Sequence, residues 1–272
     1  MDSAPTFALE ARGLCKTFVR GRWWHNRLRH CALENVNLAL QQRTTLALVG
    51  KSGCGKTALA MCLVGLEQPD RGEIVLNGQS LQTLNRPSAI AARKEVQLVF
   101  QDSGSALNPR MSAMQIVEEP LVLCGKYSRK QRRDLAAAMM ERVGISPKWS
   151  HRQPSEFSGG QKQRLAIARA LVLQPKVLIM DEIFVGLDRS IQNQIANLLM
   201  ELQQSHGLSY LCISHNLGLV SQFADRVAVM DKGRIVDETS SSDFSARAQG
   251  DSATVSTPCQ QGPSALGTSA GA

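Results

Sequence analysis

The sequence predicts an α/β protein built on a mainly parallel β-sheet, on the strength of three observations. Short apolar runs such as KVLIMDE and SYLCISH indicate buried strands, and amphipathic stretches such as IQNQIANLLMELQQSHG indicate helices between them. A glycine-rich turn joins one strand, LALVG, directly to a helix. Strands that alternate with helices form parallel sheets with right-handed crossovers. The 272 residues, 43% of them hydrophobic, suffice for one large domain with a small insert and a tail.

Composition narrows the class of protein only in part. The formal charge of +8 suits a phosphate-rich ligand, an anionic membrane surface or nucleic acid equally well. Seven cysteines form no Cys-x-x-Cys pair, which argues against a disulfide framework or a zinc site and favours a reducing compartment. We expect no secretory signal at the N-terminus, and no run approaches the roughly 18 apolar residues of a membrane span. Any membrane role is therefore expected to act through a partner.

The elements are predicted in order along the chain. FALEARGLCKTF and CALENVNLALQ indicate two strands on either side of the basic loop GRWWHNRLRH, and TALAMCLVGLE indicates the helix after the glycine-rich turn. GEIVLNGQSL predicts a hairpin that turns at Asn77-Gly78, and EVQLVFQ predicts a further strand. Residues 102–157 predict a helical insert that Pro109 and Pro120 divide. RVAVMDKGRIVDE predicts a closing hairpin, and the Ser- and Gly-rich residues 239–272 predict a disordered tail.

The glycine-rich turn from Gly50 to Thr57 fits the pattern G-x-x-x-x-G-K-[ST] between a strand and a helix. Backbone N–H groups of such a turn, with the N-terminus of the helix, bind a polyphosphate. We expect Lys56 to reach the β- and γ-phosphates and Thr57 to bind Mg²⁺. The other expected nucleotide contacts in the turn are Gly50, Ser52, Gly53, Cys54 and Gly55. Because a helix start favours the thiolate form of a cysteine, we also expect thiol alkylation at Cys54 to block ATP binding and ATP to protect against it.

An acidic pair completes the predicted phosphate site. The strand VLIMDE is expected to lie beside the strand LALVG and to deliver Asp181, which would hold Mg²⁺ through water. Glu182 is expected to polarise the attacking water as general base. The guanine-specific motif N-K-x-D is missing from the sequence, which excludes a typical G-protein.

Residues 157–164, FSGGQKQR, resemble the signature of ABC ATPases, with Phe in place of the usual Leu. The resemblance extends over about residues 7–238. It implies a P-loop NTPase (RecA-like) core, an antiparallel β subdomain and an ABC-type helical subdomain at about 102–157. Ser158 and the two glycines at a helix N-terminus are expected to form a second phosphate-binding surface with nothing to cap in its own domain, which would contact the γ-phosphate of ATP bound to an opposing subunit. The signature contacts are Ser158, Gly159, Gly160 and Gln161.

Four further positions are assigned by the same resemblance. Gln101 is the glutamine that senses Mg²⁺ and water, and Asp188 belongs to the loop that meets the opposing phosphate site. His215 is the switch histidine that contacts the γ-phosphate, and Phe18 stacks on adenine, although Trp23 and Trp24 lie close by and leave that contact open. The loop around Asp188 departs from the family pattern, with VGLD for S-A-L-D and Ile183-Phe184 for Pro-Thr.

The segment FQDSGSALNPRMSAMQIVEEPL resembles importers of oligopeptides, dipeptides and nickel. Three features resemble the nickel branch of this group. They are the loop WWHNRLRHCALENV, the segment LVGLEQPDRGEIVLNGQSLQTLNR and the lack of the HPYT motif, usual in peptide importers, after the closing hairpin. His25 and His30 are expected to be loop residues, because the metal would cross through other subunits. The resemblance implies ATP, Mg²⁺, a second ATPase subunit (identical or different), two permease subunits and an extracytoplasmic binding protein. It places the chain at the cytoplasmic face of the inner membrane.

Three alternatives remain open at this point. The first is the ATPase subunit of a di- or oligopeptide importer. The second is an ABC ATPase that acts on DNA, which would need a longer insert before the signature; we therefore expect no nucleic acid partner. The third is a regulatory subunit without hydrolysis, which would usually lack Glu182 or His215, and both are present.

Overall fold

The computed structural model describes residues 6–20, 28–101, 104, 106–215, 218 and 223–252 of the chain. The ten strands of these residues are β1 Phe7–Arg20, β2 Leu28–Gln41, β3 Thr45–Val49, β4 Arg71–Leu76, β5 Gln79–Ser80, β6 Val96–Val99, β7 Val177–Asp181, β8 Ser209–Ile213, β9 Arg226–Asp231 and β10 Arg234–Ser240. The helices are α1 Lys56–Leu63, α2 Arg86–Glu95, α3 Ala113–Cys124, α4 Arg129–Arg142, α5 Gly159–Leu171, α6 Arg189–His206 and α7 Ser241–Ser252. Within this described part, no helix is long and apolar enough to cross a bilayer.

The central sheet has six strands in the order β10-β9-β3-β8-β7-β6. All neighbours pair in parallel except β9 and β10, which form the antiparallel closing hairpin. The predicted α/β class with a mainly parallel sheet is therefore confirmed. The expectation that the strand of Asp181, β7, lies beside β3 is wrong, because β8 lies between the two strands. Apolar runs identify strands but carry no information about which strands become neighbours, and the crossover connections decide that order.

The central sheet is buried on both faces, as continuous apolar strands predict. In β7 the side chains alternate: Leu178 and Met180 join the apolar cluster formed with the helical insert and α6. Val177 and Ile179 join a second cluster formed with α1 and the smaller sheet. The two clusters fix the register of β7, because a one-residue slip would exchange the two faces.

The smaller sheet is antiparallel, with strand order β2-β1-β4-β5. β1 is its centre and pairs with both β2 and β4. The hairpin between β4 and β5 turns at Asn77 and Gly78, whose φ angles of 47° and 80° are the left-handed pair that a two-residue turn requires. The predicted antiparallel sheet and its Asn-Gly hairpin are both confirmed.

The helical insert consists of α3, α4 and the short turns that lead to α5. Pro109 precedes α3 as expected, but Pro120 lies inside the helix, so the expected interruption there is wrong. α3 begins with a capping box between Ser112 and Gln115 and buries Ile116, Val117 and Leu121 against the core. A helix that is capped at its start and buried on both sides of the proline keeps its course despite the missing N–H.

Two helices were not predicted. α2 begins at Asn85, whose side chain accepts a hydrogen bond from the Ser88 N–H at 3.0 Å, and carries Pro87 in its first turn. These are helix-start signals that the sequence does contain. α7 occupies the first part of the segment expected to be disordered after residue 238. Its Phe244 packs against the core, and the Ser241 N–H donates to the carbonyl of Asp225 at 3.0 Å.

The start of α5 packs closely on α6 through the two glycines of the signature. A Cβ added at Gly160 would lie 2.6 Å from Cγ2 of Ile191, whereas one added at Gly159 would lie 3.6 Å from Cδ2 of Leu187. Gly160 is buried and Gly159 is exposed. The two neighbouring glycines therefore differ in packing, although both are helical and neither has a positive φ.

This difference predicts opposite effects of the same substitution. Gly160→Ala should lower the free energy of unfolding by roughly 1–3 kcal/mol, because Ile191 must move. Gly159→Ala should leave it unchanged or raise it by up to about 1 kcal/mol, because Ala favours the helix. Urea denaturation of both variants measures the difference. Equal destabilisation by the two substitutions would contradict the packing described for Gly160.

Candidate active site

The carboxyl edge of the central sheet gathers the predicted site residues. β3 leads into the glycine-rich turn there, and Asp181 at the end of β7 pairs in register with Ile213 of β8. His215 follows two residues later. Val99 of β6 pairs with Met180, so Gln101, two residues beyond Val99, continues along the same edge. Although these residues are far apart in sequence, the parallel register brings them to one side of the domain.

The glycine-rich turn packs against the backbone of two other strands. A Cβ at Gly50 would collide with the carbonyl of Met230 at the end of β9, and one at Gly55 would collide with the carbonyl of Ala32 in β2. Gly55 also has a φ of 113°, which side chains rarely adopt. These glycines are thus required by close backbone contacts as well as by any ligand. Sequence reasoning missed the roles of Ala32 and Met230, because a backbone contact leaves no signal in residue type.

Lys56 opens α1 and places a buried cation inside the turn. Its ammonium donates hydrogen bonds to the carbonyl oxygens of Gly50 at 2.8 Å and of Lys51 at 3.0 Å. The first turn of α1 contains no acidic residue. A lysine and an unopposed helix N-terminus together produce a positive local potential, which suits a polyphosphate. Ser52 and Gly53 are exposed at the outer side of the same turn.

Thr57 and Asp181 are in direct contact across the site. The Thr57 hydroxyl donates a hydrogen bond to the Asp181 carboxylate. Burial raises the pKa of Asp181 above its ordinary value, and the neighbouring Glu182 raises it further, whereas the bond from Thr57 and the charge of Lys56 oppose the increase. A buried carboxylate with an adjacent hydroxyl supplies the hard oxygen ligands that Mg²⁺ prefers. The residues present therefore fit a magnesium ion at this position.

Glu182 adopts an unusual backbone conformation. Its φ of 50° is left-handed, and its N–H donates to the carbonyl of Ile213 at 2.9 Å. A non-glycine residue in this conformation costs about 1–3 kcal/mol, and such residues cluster at functional sites. Its Oε2 lies 3.3 Å from Nδ1 of His215. The structure thus brings the predicted base and the predicted switch histidine into contact.

The signature residues lie where α5 meets the start of α6. Ser158 and Gly159 are exposed. The expectation that Ser158 has nothing to cap in its own domain is wrong, because its hydroxyl accepts a hydrogen bond from the Gln161 N–H at 3.4 Å. The Gln161 side chain in turn accepts from the Ser158 N–H at 3.0 Å, which completes a capping box. Asp188 is exposed and precedes α6 without a side-chain cap bond.

Three other residues predicted to contact the nucleotide or Mg²⁺ differ in their exposure to solvent. Cys54 is only 6% exposed and belongs to the cluster beneath the turn, where its thiol lies 3.8 Å from the Lys56 ammonium, so the effect of thiol alkylation stays a prediction. Phe18 is half-buried on β1, with the Lys16 ammonium 5.2 Å from its ring centroid. Gln101 is exposed at the end of its strand. Trp23, Trp24, His25 and Asp102 lie outside the described residues, whereas His30 is exposed on β2.

Comparison with known proteins agrees with this geometry. The sequence profile of the ABC transporter family matches residues 33–185. This chain belongs to that family. It is 47% identical over 206 residues to the probable peptide ABC transporter ATP-binding protein y4tS of Sinorhizobium fredii. This alignment covers 76% of this chain and 58% of that protein. It is 41% identical over 229 residues to the nickel import ATP-binding protein NikE of Shigella boydii, covering 84% of this chain and 85% of that protein.

Solved structures agree on the fold. The ABC cassette MJ0796, in a dimeric post-hydrolysis state bound to ADP and Pi, superposes with a TM-score of 0.75 at 26% identity. The match covers 85% of this chain and 98% of MJ0796. The expected ABC ATPase fold and the membership of the group that includes peptide and nickel importers are therefore confirmed. The chain spans about three fifths of the length of the peptide-transporter relative y4tS.

The raised pKa of Asp181 predicts a stability that depends on pH. A carboxyl whose pKa is raised by folding adds stability below its unfolded pKa, about 3.9, and that stability is lost as the pH rises through the folded pKa. Asp181→Asn, which keeps an oxygen for Thr57, should therefore melt above wild type at neutral pH, and the difference should shrink toward acidic pH.

Thermal unfolding between about pH 4 and pH 8 measures this difference. The matched control is Asp134→Asn, on the exposed side of α4, which should stay close to wild type across the range. A melting temperature of Asp181→Asn below that of wild type at neutral pH would contradict the assignment of burial as the dominant effect.

Proposed function

We propose that this chain is the ATP-binding and ATP-hydrolysing subunit of an ABC importer, with Mg²⁺ as cofactor. One observation carries the proposal: a continuous set of contacts runs from the glycine-rich turn through Thr57 and Asp181 to Glu182 and His215. These groups supply what phosphoryl transfer to water requires: a turn that binds phosphate, ligands for a metal ion, a general base in Glu182, and a histidine that orients the base.

The residues divide the reaction between them. Backbone N–H groups of the turn and the Lys56 ammonium bind the β- and γ-phosphates, and Thr57 and Asp181 would hold Mg²⁺, which neutralises charge on the transferring phosphoryl group. Glu182 orients the attacking water and accepts its proton. His215, next to the Glu182 carboxylate, contacts the γ-phosphate and keeps the base oriented. Positioning and charge stabilisation account for most of the rate enhancement in such sites.

A second ATPase subunit, identical or different, completes each site in this proposal. Ser158 and Gly159 present an exposed helix N-terminus, a feature that favours phosphate binding. In the proposed arrangement this surface, with Gln161 and Asp188, meets ATP held by the opposing subunit, while Phe18 stacks on adenine and Gln101 connects Mg²⁺ to the permease. The dimeric state of MJ0796 supports the arrangement by analogy.

The remaining partners follow from the importer group. We propose two permease subunits and an extracytoplasmic binding protein, with this chain attached peripherally to the cytoplasmic face of the inner membrane. ATP binding would close the two ATPase subunits, and loss of the γ-phosphate would release them and reset the permease. The nucleotide, and no nucleic acid, is the ligand of the cationic turn in this proposal.

Glu182→Gln tests the role of the base. The variant should bind ATP with unchanged affinity, because the cradle is untouched, but should hydrolyse it at least about 100-fold more slowly. Since hydrolysis releases the dimer, the variant should elute as a dimer from gel filtration in Mg-ATP. Glu141→Gln, on the exposed side of α4, is the matched control and should hydrolyse normally. Hydrolysis by Glu182→Gln at the wild-type rate would exclude Glu182 as the base.

The proposed cargo is nickel or a related metal chelate. The segment LVGLEQPDRGEIVLNGQSLQTLNR and the alignment with NikE over 229 residues support it. A di- or oligopeptide is the second candidate, and the 47% identity to the peptide transporter relative favours it. Sequence identity alone does not separate the two, because the ATPase contacts nucleotide and permease and never the cargo.

Complementation separates the two cargoes. The chain would be expressed in bacteria that lack the ATPase subunit of either a nickel importer or a dipeptide importer. We expect uptake of radioactive nickel to return in the first strain, and the Lys56→Ala variant to restore nothing, because it lacks the phosphate-binding cation. Restored growth on dipeptides without nickel uptake would assign the peptide cargo instead.

A further inference from the structure

The hairpin between β9 and β10 turns beside the glycine-rich turn. Its two turn residues, Lys232 and Gly233, have left-handed φ angles of 44° and 81°. The hairpin at Asn77 and Gly78 has nearly the same backbone, with φ angles of 47° and 80°. Gly78 is exposed, however, whereas Gly233 is buried. The two glycines therefore share a conformation and differ in their surroundings.

Gly233 contacts two other parts of the molecule. Its N–H donates a hydrogen bond to the carbonyl of Cys54 in the glycine-rich turn at 2.8 Å, and its carbonyl accepts one from the N–H of Glu34 in β2 at 2.8 Å. A Cβ added at Gly233 would lie 2.9 Å from the carbonyl oxygen of Ala32, also in β2. At Gly78 an added Cβ would meet nothing within 4 Å. Gly233 thus occupies a narrow space between the phosphate site and the smaller sheet.

The spacing between the glycine-rich turn and β2 is limited in both directions. A Cβ added at Gly55 would collide with the carbonyl of Ala32, so the turn and β2 are already in close backbone contact. The two hydrogen bonds of Gly233 link the turn to β2 and oppose their separation. Close packing and hydrogen bonds together hold β2 at one distance from the turn.

β2 extends this link to the strand that carries the predicted adenine contact. Leu33 lies between the two β2 residues that Gly233 touches, and it pairs with Lys16 of β1. Phe18 follows two residues later on β1 and pairs with His30. Because paired strands of an antiparallel sheet move together, a shift of β2 at Leu33 would also shift Phe18.

We propose that Gly233 is a positioning residue for the nucleotide: its two backbone hydrogen bonds set the distance between the glycine-rich turn and Phe18. A nucleotide binds tightly only if its phosphates and its base reach their contacts at the same time, which requires that distance to be fixed beforehand. This role rests on the proposed function, in which the turn binds the phosphates and Phe18 stacks on adenine.

Titration calorimetry with two probes tests this role on the full chain. ADP and inorganic pyrophosphate, each with Mg²⁺, share two phosphates and differ by the adenosine. Gly233→Ala should weaken ADP binding at least about fivefold, because β2 must shift and the base loses stacking on Phe18. It should change pyrophosphate binding by less than about twofold, because the added methyl group presses on β2 and leaves the phosphate contacts of the turn in place.

Gly78→Ala is the matched control. It places alanine at the same left-handed φ without a neighbouring contact, so it should bind both probes like wild type. A second variant avoids the crowded Cβ: one glycine inserted between Lys232 and Gly233 lengthens the hairpin and should reproduce the selective loss of ADP affinity. One glycine inserted between Asn77 and Gly78 is its control and should have no effect on either probe.

A Phe18→Ala background tests whether Gly233 acts through the adenine contact. There, Gly233→Ala should weaken ADP binding by less than about twofold further, because residues that act through one contact are not additive. Two losses that multiply in full would overturn the proposed role. Equal weakening of ADP and pyrophosphate binding by the Gly233 variants would overturn it in favour of general damage to the turn.

The outcomes separate this role from the ATPase proposal. A wild type that binds ADP, together with Gly233 variants that bind ADP equally well, overturns the role of Gly233 alone. A wild type that binds neither ADP nor pyrophosphate overturns the proposed nucleotide site and the role of Gly233 with it.

Discussion

The contact between Thr57 and Asp181 is the interaction on which the rest of the structure depends. Asp181 is 4% exposed, and burial of a carboxylate is unfavourable without compensation. The Thr57 hydroxyl and the Lys56 cation supply part of that compensation, and both belong to the glycine-rich turn at the start of α1. The turn and β7 therefore need each other, although β8 lies between their strands. A divalent cation at the same place would supply the remainder, which links the stability of the ligand-free protein to the chemistry proposed for it.

Much of this arrangement could be predicted from sequence, because the residues concerned are chemically specific and follow recognisable strands. Each part of the site directly follows an apolar run in the sequence: the turn from Gly50 to Thr57, the pair Asp181-Glu182, and His215. The carboxyl ends of parallel strands lie at one edge of a sheet, so these parts are expected to meet there. The Asn77-Gly78 hairpin and the end of α6 at Gly207 were equally accessible, since left-handed backbone favours these residues. The features that were predictable are those in which one residue type satisfies one local requirement.

The features that escaped prediction depend on contacts between distant segments. The position of β8 between β3 and β7 is set by how crossovers pack, and no strand encodes its neighbours. Cys54 occupies a position in the turn that suggests reactivity, but tertiary packing buries its thiol between the apolar cluster and the Lys56 ammonium, 3.8 Å away. Pro120 interrupts a helix by propensity, yet the burial of Leu121 and Val117 keeps α3 intact. In each case tertiary packing outweighed a local preference that the sequence expresses correctly.

Ser158 shows that such a correction need not remove a function. A hydroxyl has two lone pairs and one proton, so it can accept a hydrogen bond and donate another. The cap on α5 uses a lone pair, through the Gln161 N–H at 3.4 Å, and leaves the proton available. The cap also fixes the serine over the helix N-terminus, where an anion is stabilised. The capping box therefore orients the donor that the proposed opposing phosphate needs, and the domain's own helix supplies that orientation before any second subunit arrives.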